Sequence, residues 1–192
     1  MADPVLHLLA GPNGSGKSTL YERVVGPITH LRFVNADQLA AERWPDDAEA
    51  HAYEASQLAA DAREELLARR VSFVTETVFS HPSKLSLVGD ARAAGYIVVI
   101  HVVVVPLELT VARVADRVAR GGHSVPEVKV RERYARLWPL VASAVSQADR
   151  ATVYDNSRAA VPFRVVAEFF NGTSLAEPAW PTWVPAELRA LT

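Results

Sequence analysis

A three-layer α/β/α fold around a central parallel sheet of about five strands is what this 192-residue sequence predicts. Two observations carry the prediction. Five apolar, largely β-branched runs (Val5–Ala10, Leu31–Asn35, Val71–Thr75, Tyr96–Val105 and Ala151–Tyr154) alternate with helix-compatible stretches. Such alternation marks a parallel sheet covered on both faces. The first run leads into a glycine-rich loop, GPNGSGKST, and then into helical sequence over Ser18–Val25, the order of a phosphate-binding strand–loop–helix unit.

The other elements follow from pattern and punctuation. A long helix is expected over Asp46–Arg70, with acids after Pro45 at its start and Arg69 and Arg70 at its end, as the helix dipole favours. Leu107–Arg120 is a second helix whose apolar stripe is Leu107, Val111, Val114 and Val118, and Gly121-Gly122 ends it. Ser124-Val-Pro-Glu127 reads as a capping box opening a third, in which Pro139 is a kink or break. Val161–Phe170 reads as a last short helix. Residues 1–170 form the main domain. In the tail over 171–192, Pro178, Pro181 and Pro185 exclude a regular element, and Trp180 and Trp183 imply packing on the body.

Composition narrows the function classes. The net charge is −2, so nothing global attracts a polyanion, and nucleic acid is not an expected partner. There is no cysteine, which excludes disulfides and thiolate metal sites. No signal peptide is visible, and the longest apolar run contains His101 and stops at Pro106, too short to span a bilayer. A cytoplasmic protein that does not engage membranes is the expectation.

Residues Gly11–Ser18 read G-x-x-x-x-G-K-S. In such a loop the backbone N–H groups of Gly11, Pro12, Asn13, Gly14, Ser15, Gly16, Lys17, Ser18 and Thr19, proline excepted, wrap phosphate oxygens. Lys17 places charge near the β- and γ-phosphates, and the Ser18 hydroxyl is a Mg²⁺ ligand. ATP with Mg²⁺ is therefore the expected cofactor pair.

Ligands bind beyond the carboxyl ends of parallel strands, and the residues that follow each run are polar. Asp37 after the second run reads as a general base for an acceptor hydroxyl, or as the N-cap of a helix starting near Gln38. Glu76 after the third suits Mg²⁺ held through water, or substrate hydroxyls. Thr77, Ser80, His81 and Lys84 follow it and suit a polar, phosphate-bearing acceptor. Asn156, after the fifth run, meets the nucleotide or forms a plain turn.

Arg113, Arg117 and Arg120 share one helix face, and Lys129, Arg133 and Arg136 repeat that spacing on the next helix. From Arg113 to Arg136, seven cations face three acids, a local charge of +4. Two basic helices joined at Gly121-Gly122 describe a lid over about 113–136 whose guanidinium groups stabilise a transferring phosphoryl group. Arg117, Arg120 and Arg133 are its expected catalytic members. Solvated arginine faces are the plain alternative.

Taken in order, GPNGSGKST, FVNADQLA, TETVFSHPSK, ARVADRVARGGHSVPE, RERY and YDNS resemble the zeta-toxin-like P-loop kinases, over roughly Leu6–Ser157. The resemblance implies an α/β P-loop kinase with an arginine-rich helical lid. By it, Asp37 is the base, Lys17 and Ser18 contact nucleotide and Mg²⁺, Glu76 and Thr77 contact substrate, and the lid arginines stabilise charge. It also implies a UDP-linked N-acetyl amino sugar as acceptor and an antitoxin protein as partner. A kinase for another metabolite or an antibiotic, and a nucleotide switch acting through a partner, are the rival readings.

Overall fold

A computed structural model describes residues 2–120 and 125–191. The sheet has seven strands in the order β2-β3-β1-β4-β5-β6-β7. The first five, β1 (Val5–Ala10), β2 (Arg32–Val34), β3 (Phe73–Thr77), β4 (Ile97–Val104) and β5 (Arg150–Asp155), pair in parallel. These are the five expected runs: β1 coincides with its run, and the other four differ from theirs by one or two residues at each end. β6 (Arg164–Phe170) and β7 (Thr173–Ser174) are antiparallel additions that bring the sheet to seven strands rather than five.

The β6 segment corrects the expected helix over Val161–Phe170. Its apolar residues recur at helical spacing, but Val165, Val166, Phe169 and Phe170 are also strong strand formers. Pairing them with β5 satisfies backbone groups that an open sheet edge would leave without partners.

One sheet face carries the main core. Leu6, Leu8, Phe73, Val98, Ile100 and Val102 pack there against α4 (Ala52–Ala68), α5 (Ser83–Ala93) and α7 (Glu127–Gln147). The other face buries Leu9, Val74, Val103 and Tyr154 beneath Leu20 and Val25. Those two belong to a continuous helical segment: α1 (Lys17–Leu20), a π-helical turn over Tyr21–Val25, and α2 (Gly26–Thr29).

Several helix limits differ from expectation. α4 begins at Ala52, six residues after Asp46, because the preceding stretch turns and stacks Trp44 on His51 at 4.4 Å between ring centroids. Asn35, not Asp37, caps α3 (Ala36–Arg43): its side chain accepts from the N–H groups of Asp37 and Gln38. α6 (Leu107–Ala119) buries Thr110 and Val114, whereas Val118 of the expected stripe is 37% exposed. α7 runs unbroken through Pro139, which sits at an exposed position where water can satisfy the carbonyl left without a donor. The hinge Gly121-Gly122 and Ser124 of the capping box lie outside the described residues. After Pro185 the chain forms α8 (Ala186–Arg189), a short helix that the prolines were expected to prevent; Pro185 precedes it, where a missing N–H costs nothing. Val184 and Leu188 are buried in the main core, with Trp180 and Trp183 against it.

Candidate active site

The carboxyl ends of β1, β2 and β3 and the helices that follow them surround a cavity of about 680 Å³. The loop between β1 and α1 forms its floor. Gly16 has φ 96°, and a Cβ there would lie 2.6 Å from the Asn156 amide nitrogen. Gly11 has φ 149°, and a Cβ there would meet the Val103 carbonyl oxygen at 2.5 Å. Both positions therefore need glycine, for conformation and for space. Asn156 donates from its side chain to the Ser15 carbonyl at 2.8 Å, and its own carbonyl accepts from Arg113 at 2.9 Å. It braces the loop from outside the cavity lining.

Lys17 is buried, with its ammonium 2.9 Å from the Pro12 carbonyl and 3.6 Å from a Glu76 carboxylate oxygen. Burial pushes its pKa below the usual lysine range; the fields of Glu76 and Asp37 oppose that shift and Arg117 adds to it. A desolvated cation at the bottom of a loop of backbone donors gains most from an anion placed beside it. The Ser18 hydroxyl donates to Glu76 at 2.8 Å, which leaves its lone pairs for a cation. A hydroxyl beside a carboxylate is a hard oxygen set that suits Mg²⁺, which takes few protein ligands and completes its shell with phosphate oxygens and water. The residues present thus fit both groups.

Glu76 is the centre of the constellation. The oxygen that accepts from Ser18 also accepts from the Asn35 side-chain amide at 2.9 Å. Asn35 is buried and uses its other side-chain atom to cap α3, so one side chain fixes both Glu76 and the turn that carries Asp37. The capping role weighed for Asp37 falls to Asn35. Asp37 is exposed and lines the cavity with Lys17, Ser18 and Glu76.

Of the expected site residues, Asn13, Gly14, Gly16, Lys17, Ser18, Thr19, Asp37, Glu76, Thr77, Ser80, His81, Lys84, Arg117 and Arg133 line the cavity. Gly11, Pro12 and Ser15 are buried in the loop behind it. Arg120 is not brought there: its side chain is 78% exposed and pairs with Asp116 at 2.9 Å. The last turn of α6 leaves Arg120 on the solvent side, where the neighbouring acid holds it. Thr77 accepts from the Phe79 N–H at 3.2 Å, and His81 bonds Ser83 at 2.9 Å.

Sequence reasoning missed Arg63 as part of the site, and it placed Asn35 on the rim and Arg113 on the lid helix without giving either a role of its own. Asn35 was legible as a favoured capping residue directly after a strand. Arg113 stood in the basic helix face but was not singled out. Arg63 carries no local signal, since it sits among the ordinary charges of α4.

The sequence matches the profile of the family described as AAA domain over residues 6–140. No curated protein matches it. Among solved structures it is similar to a chain from the PezAT chromosomal toxin–antitoxin system of Streptococcus pneumoniae, at 12% identity and a TM-score of 0.63, covering 88% of this chain and 72% of that one. It is also similar to a chain of the AvrRxo1-ORF1:-ORF2 structure with ATP, at 17% identity and a TM-score of 0.72, covering 92% of this chain and 61% of that one. Shikimate kinase from Acinetobacter baumannii, solved with shikimate, aligns at 18% identity and a TM-score of 0.51, covering 82% and 86%. At such identities these likenesses establish the fold. The chain belongs to the AAA-domain family and has the fold of the zeta-toxin-like P-loop kinases.

Proposed function

We propose that the chain is an ATP- and Mg²⁺-dependent kinase that transfers a phosphoryl group to a hydroxyl of a polar small molecule. One observation supports this above the others: Asp37 opens into the same cavity as Lys17 and Ser18, and capping work that would otherwise occupy it is done by Asn35. A carboxylate left available beside a phosphate-binding lysine can orient an acceptor hydroxyl and take its proton.

Each residue then has a task. Loop amides and Lys17 hold and polarise the phosphates. Ser18, aimed by Glu76, supplies a metal ligand; when bound, the metal neutralises charge on the phosphate oxygens. Arg113 and Arg117 of α6 and Arg133 of α7 line the cavity and add positive charge where it develops. Thr77, Ser80 and His81 line the acceptor side. Closure of the α6–α7 arm over the phosphates belongs to this reading. So does a UDP-linked N-acetyl amino sugar as acceptor, supported by the resemblance to zeta toxins. An antitoxin-like partner is proposed too, because the PezAT structure is of a toxin–antitoxin system and the AvrRxo1 structure is of ORF1 together with ORF2.

The test is transfer of label from γ-labelled ATP to candidate acceptors by wild-type protein and by Asp37→Ala. Loss of the base should lower turnover about 10²–10⁴-fold, with nucleotide affinity nearly unchanged. Equal turnover in the variant removes Asp37 as the base. Label on another metabolite and none on the UDP-sugar replaces the toxin-like acceptor while keeping the kinase.

A further inference from the structure

The cations carried by the two arm helices do not share one task. Arg113, Arg117 and Arg133 line the cavity, and Arg120 pairs with Asp116. Arg131 does neither. It lies two residues before Arg133 on α7, which turns the two side chains about 200° apart, and it does not line the cavity. Its guanidinium donates from Nη1 and Nη2 to the two carboxylate oxygens of Glu108, at 2.7 and 2.9 Å, and from Nε to Glu127 at 2.8 Å. Glu108 stands in the first turn of α6, and Glu127 opens α7. One side chain thus clasps the start of one arm helix to the start of the other.

The other contacts between these turns are less directional. α6 is fixed to the phosphate loop: Arg113 donates to the Asn156 carbonyl, and a Cβ on Gly14 would meet the Arg113 Cβ at 3.2 Å. The later half of α7 is rooted in the main core by Leu137, Trp138 and Val141, and the Tyr134 hydroxyl donates to the Val105 carbonyl at 3.0 Å. Ahead of that point, Val125 and Val130 meet Val114 of α6 in a small cluster separate from the main core. Apolar contact has no direction, so a few valines let one helix roll on another. A forked guanidinium–carboxylate pair fixes direction as well as distance. Isolated exposed pairs contribute little, but bidentate geometry and shared networks are the exceptions, and Arg131 has both.

We propose that Arg131 is a positioning residue for phosphotransfer: by gripping Glu108 and Glu127 it sets how α6 and α7 cross, and so holds Arg133 in the same cavity lining as Arg113 and Arg117. Arg131 itself takes no part in proton or phosphoryl movement. Its effect on rate rests on the phosphotransfer reading above; its effect on the geometry of the arm does not.

Two measurements keep these apart. The chain has no cysteine, so nitroxide labels go only to introduced ones, Ala115→Cys on α6 and Lys129→Cys on α7, both at exposed positions. Electron spin resonance should give one narrow label separation in the otherwise wild-type protein, and a broader or displaced one once Glu108→Gln or Arg131→Gln is added. An identical separation in all three overturns the clasp, whatever the protein's activity. Phosphotransfer from labelled ATP is then followed. Arg131→Gln and Glu108→Gln should each lower kcat about three- to tenfold, with the KM for ATP and the denaturant midpoint nearly unchanged, and the two together should lower it no further. Arg131→Lys keeps the charge without the fork and should show most of the same loss. In an Arg133→Gln background, Arg131→Gln should have no additional effect, because it acts through Arg133. Additive losses, an undiminished effect in the absence of Arg133, or wild-type kcat in Arg131→Gln overturns the proposal. Transfer to no acceptor by wild-type protein counts against the kinase reading, and the label separation then decides the clasp by itself.

Discussion

Asn35 has two duties at the level of single atoms, and they can be separated. Its side-chain oxygen accepts from Asp37 at 2.7 Å and Gln38 at 3.2 Å, while its amide nitrogen donates to Glu76 at 2.9 Å. The first duty starts α3; the second holds the carboxylate that aims Ser18. Serine at this position keeps a capping oxygen but has too short a side chain to reach Glu76 as well. Asn35→Ser should therefore retain the helix start, whereas Asn35→Ala should lose about 0.5–2 kcal/mol of stability from the cap. Both should lower phosphotransfer by a similar factor, about tenfold, since both release Glu76. Chemical denaturation beside turnover checks this. Wild-type turnover in the serine variant would show that the Asn35–Glu76 bond has no part in positioning. Glycine at position 16 makes the same point about scale: the loop pattern marks it as glycine, and its φ of 96° and the 2.6 Å that would separate a Cβ from the Asn156 amide nitrogen are the single-residue constraints behind that pattern.

At the level of elements, β6 gives the clearest test of the sheet's extension. Phe169 is 2% exposed and packs in the main core, while Phe170 beside it is 48% exposed. Adjacent residues divided between core and solvent are what strand alternation produces. Phe169→Ala should cost about 3–5 kcal/mol, and Phe170→Ala much less, within about 1 kcal/mol. Denaturant midpoints of the two variants measure the contrast, and similar losses would count against the pairing of β6 with β5. The five parallel strands were legible because each lies in a short, mainly apolar and β-branched or aromatic run bounded by polar or turn residues, a signal that survives without knowledge of neighbours. β6 lay hidden because its identity depends on β5: residues 165, 166, 169 and 170 suit a helix until an open edge is available beside them. The start of α4 escaped for a related reason. Acids after a proline announce a helix start in isolation, but here the Trp44–His51 stack holds the preceding stretch in turns.

The whole molecule assembles its site by sheet order. With β1 between β3 and β4, the phosphate loop stands where neighbouring strands lead their chains to different sides, and the ends of β2 and β3 reach one rim. That rule made the loop, Asp37 and Glu76 readable from the strand ends alone; Arg63, brought in from mid-helix, needed the packing of α4 to be known. The same sheet holds a titratable cluster away from the cavity. His101 on β4 is 8% exposed, with one ring nitrogen 3.0 Å from His7 on β1 and the other 3.3 Å from the Tyr154 hydroxyl on β5. Burial first, and the neighbouring His7 in the same direction, together lower the His101 pKa from 6.5 to about 3. Burial lowers His7 as well. The unfolded chain therefore takes up a proton on His101 near its ordinary value of 6.5, while the folded protein refuses it until about 3. Across that window the unfolded state binds more protons, so the contribution is fully present above the window and is lost progressively as pH falls through it. His101→Gln removes the titration while keeping a group that can donate and accept towards His7 and Tyr154. Urea denaturation at pH 7.5 and pH 4.5 should show a larger acid loss for wild-type protein than for the variant, even where the variant is less stable at both. The residual loss in the variant should reflect His7 and the carboxylates. Parallel losses in the two proteins would mean that His101 charges as freely in the fold as outside it, and that the interstrand cluster is open to solvent protons.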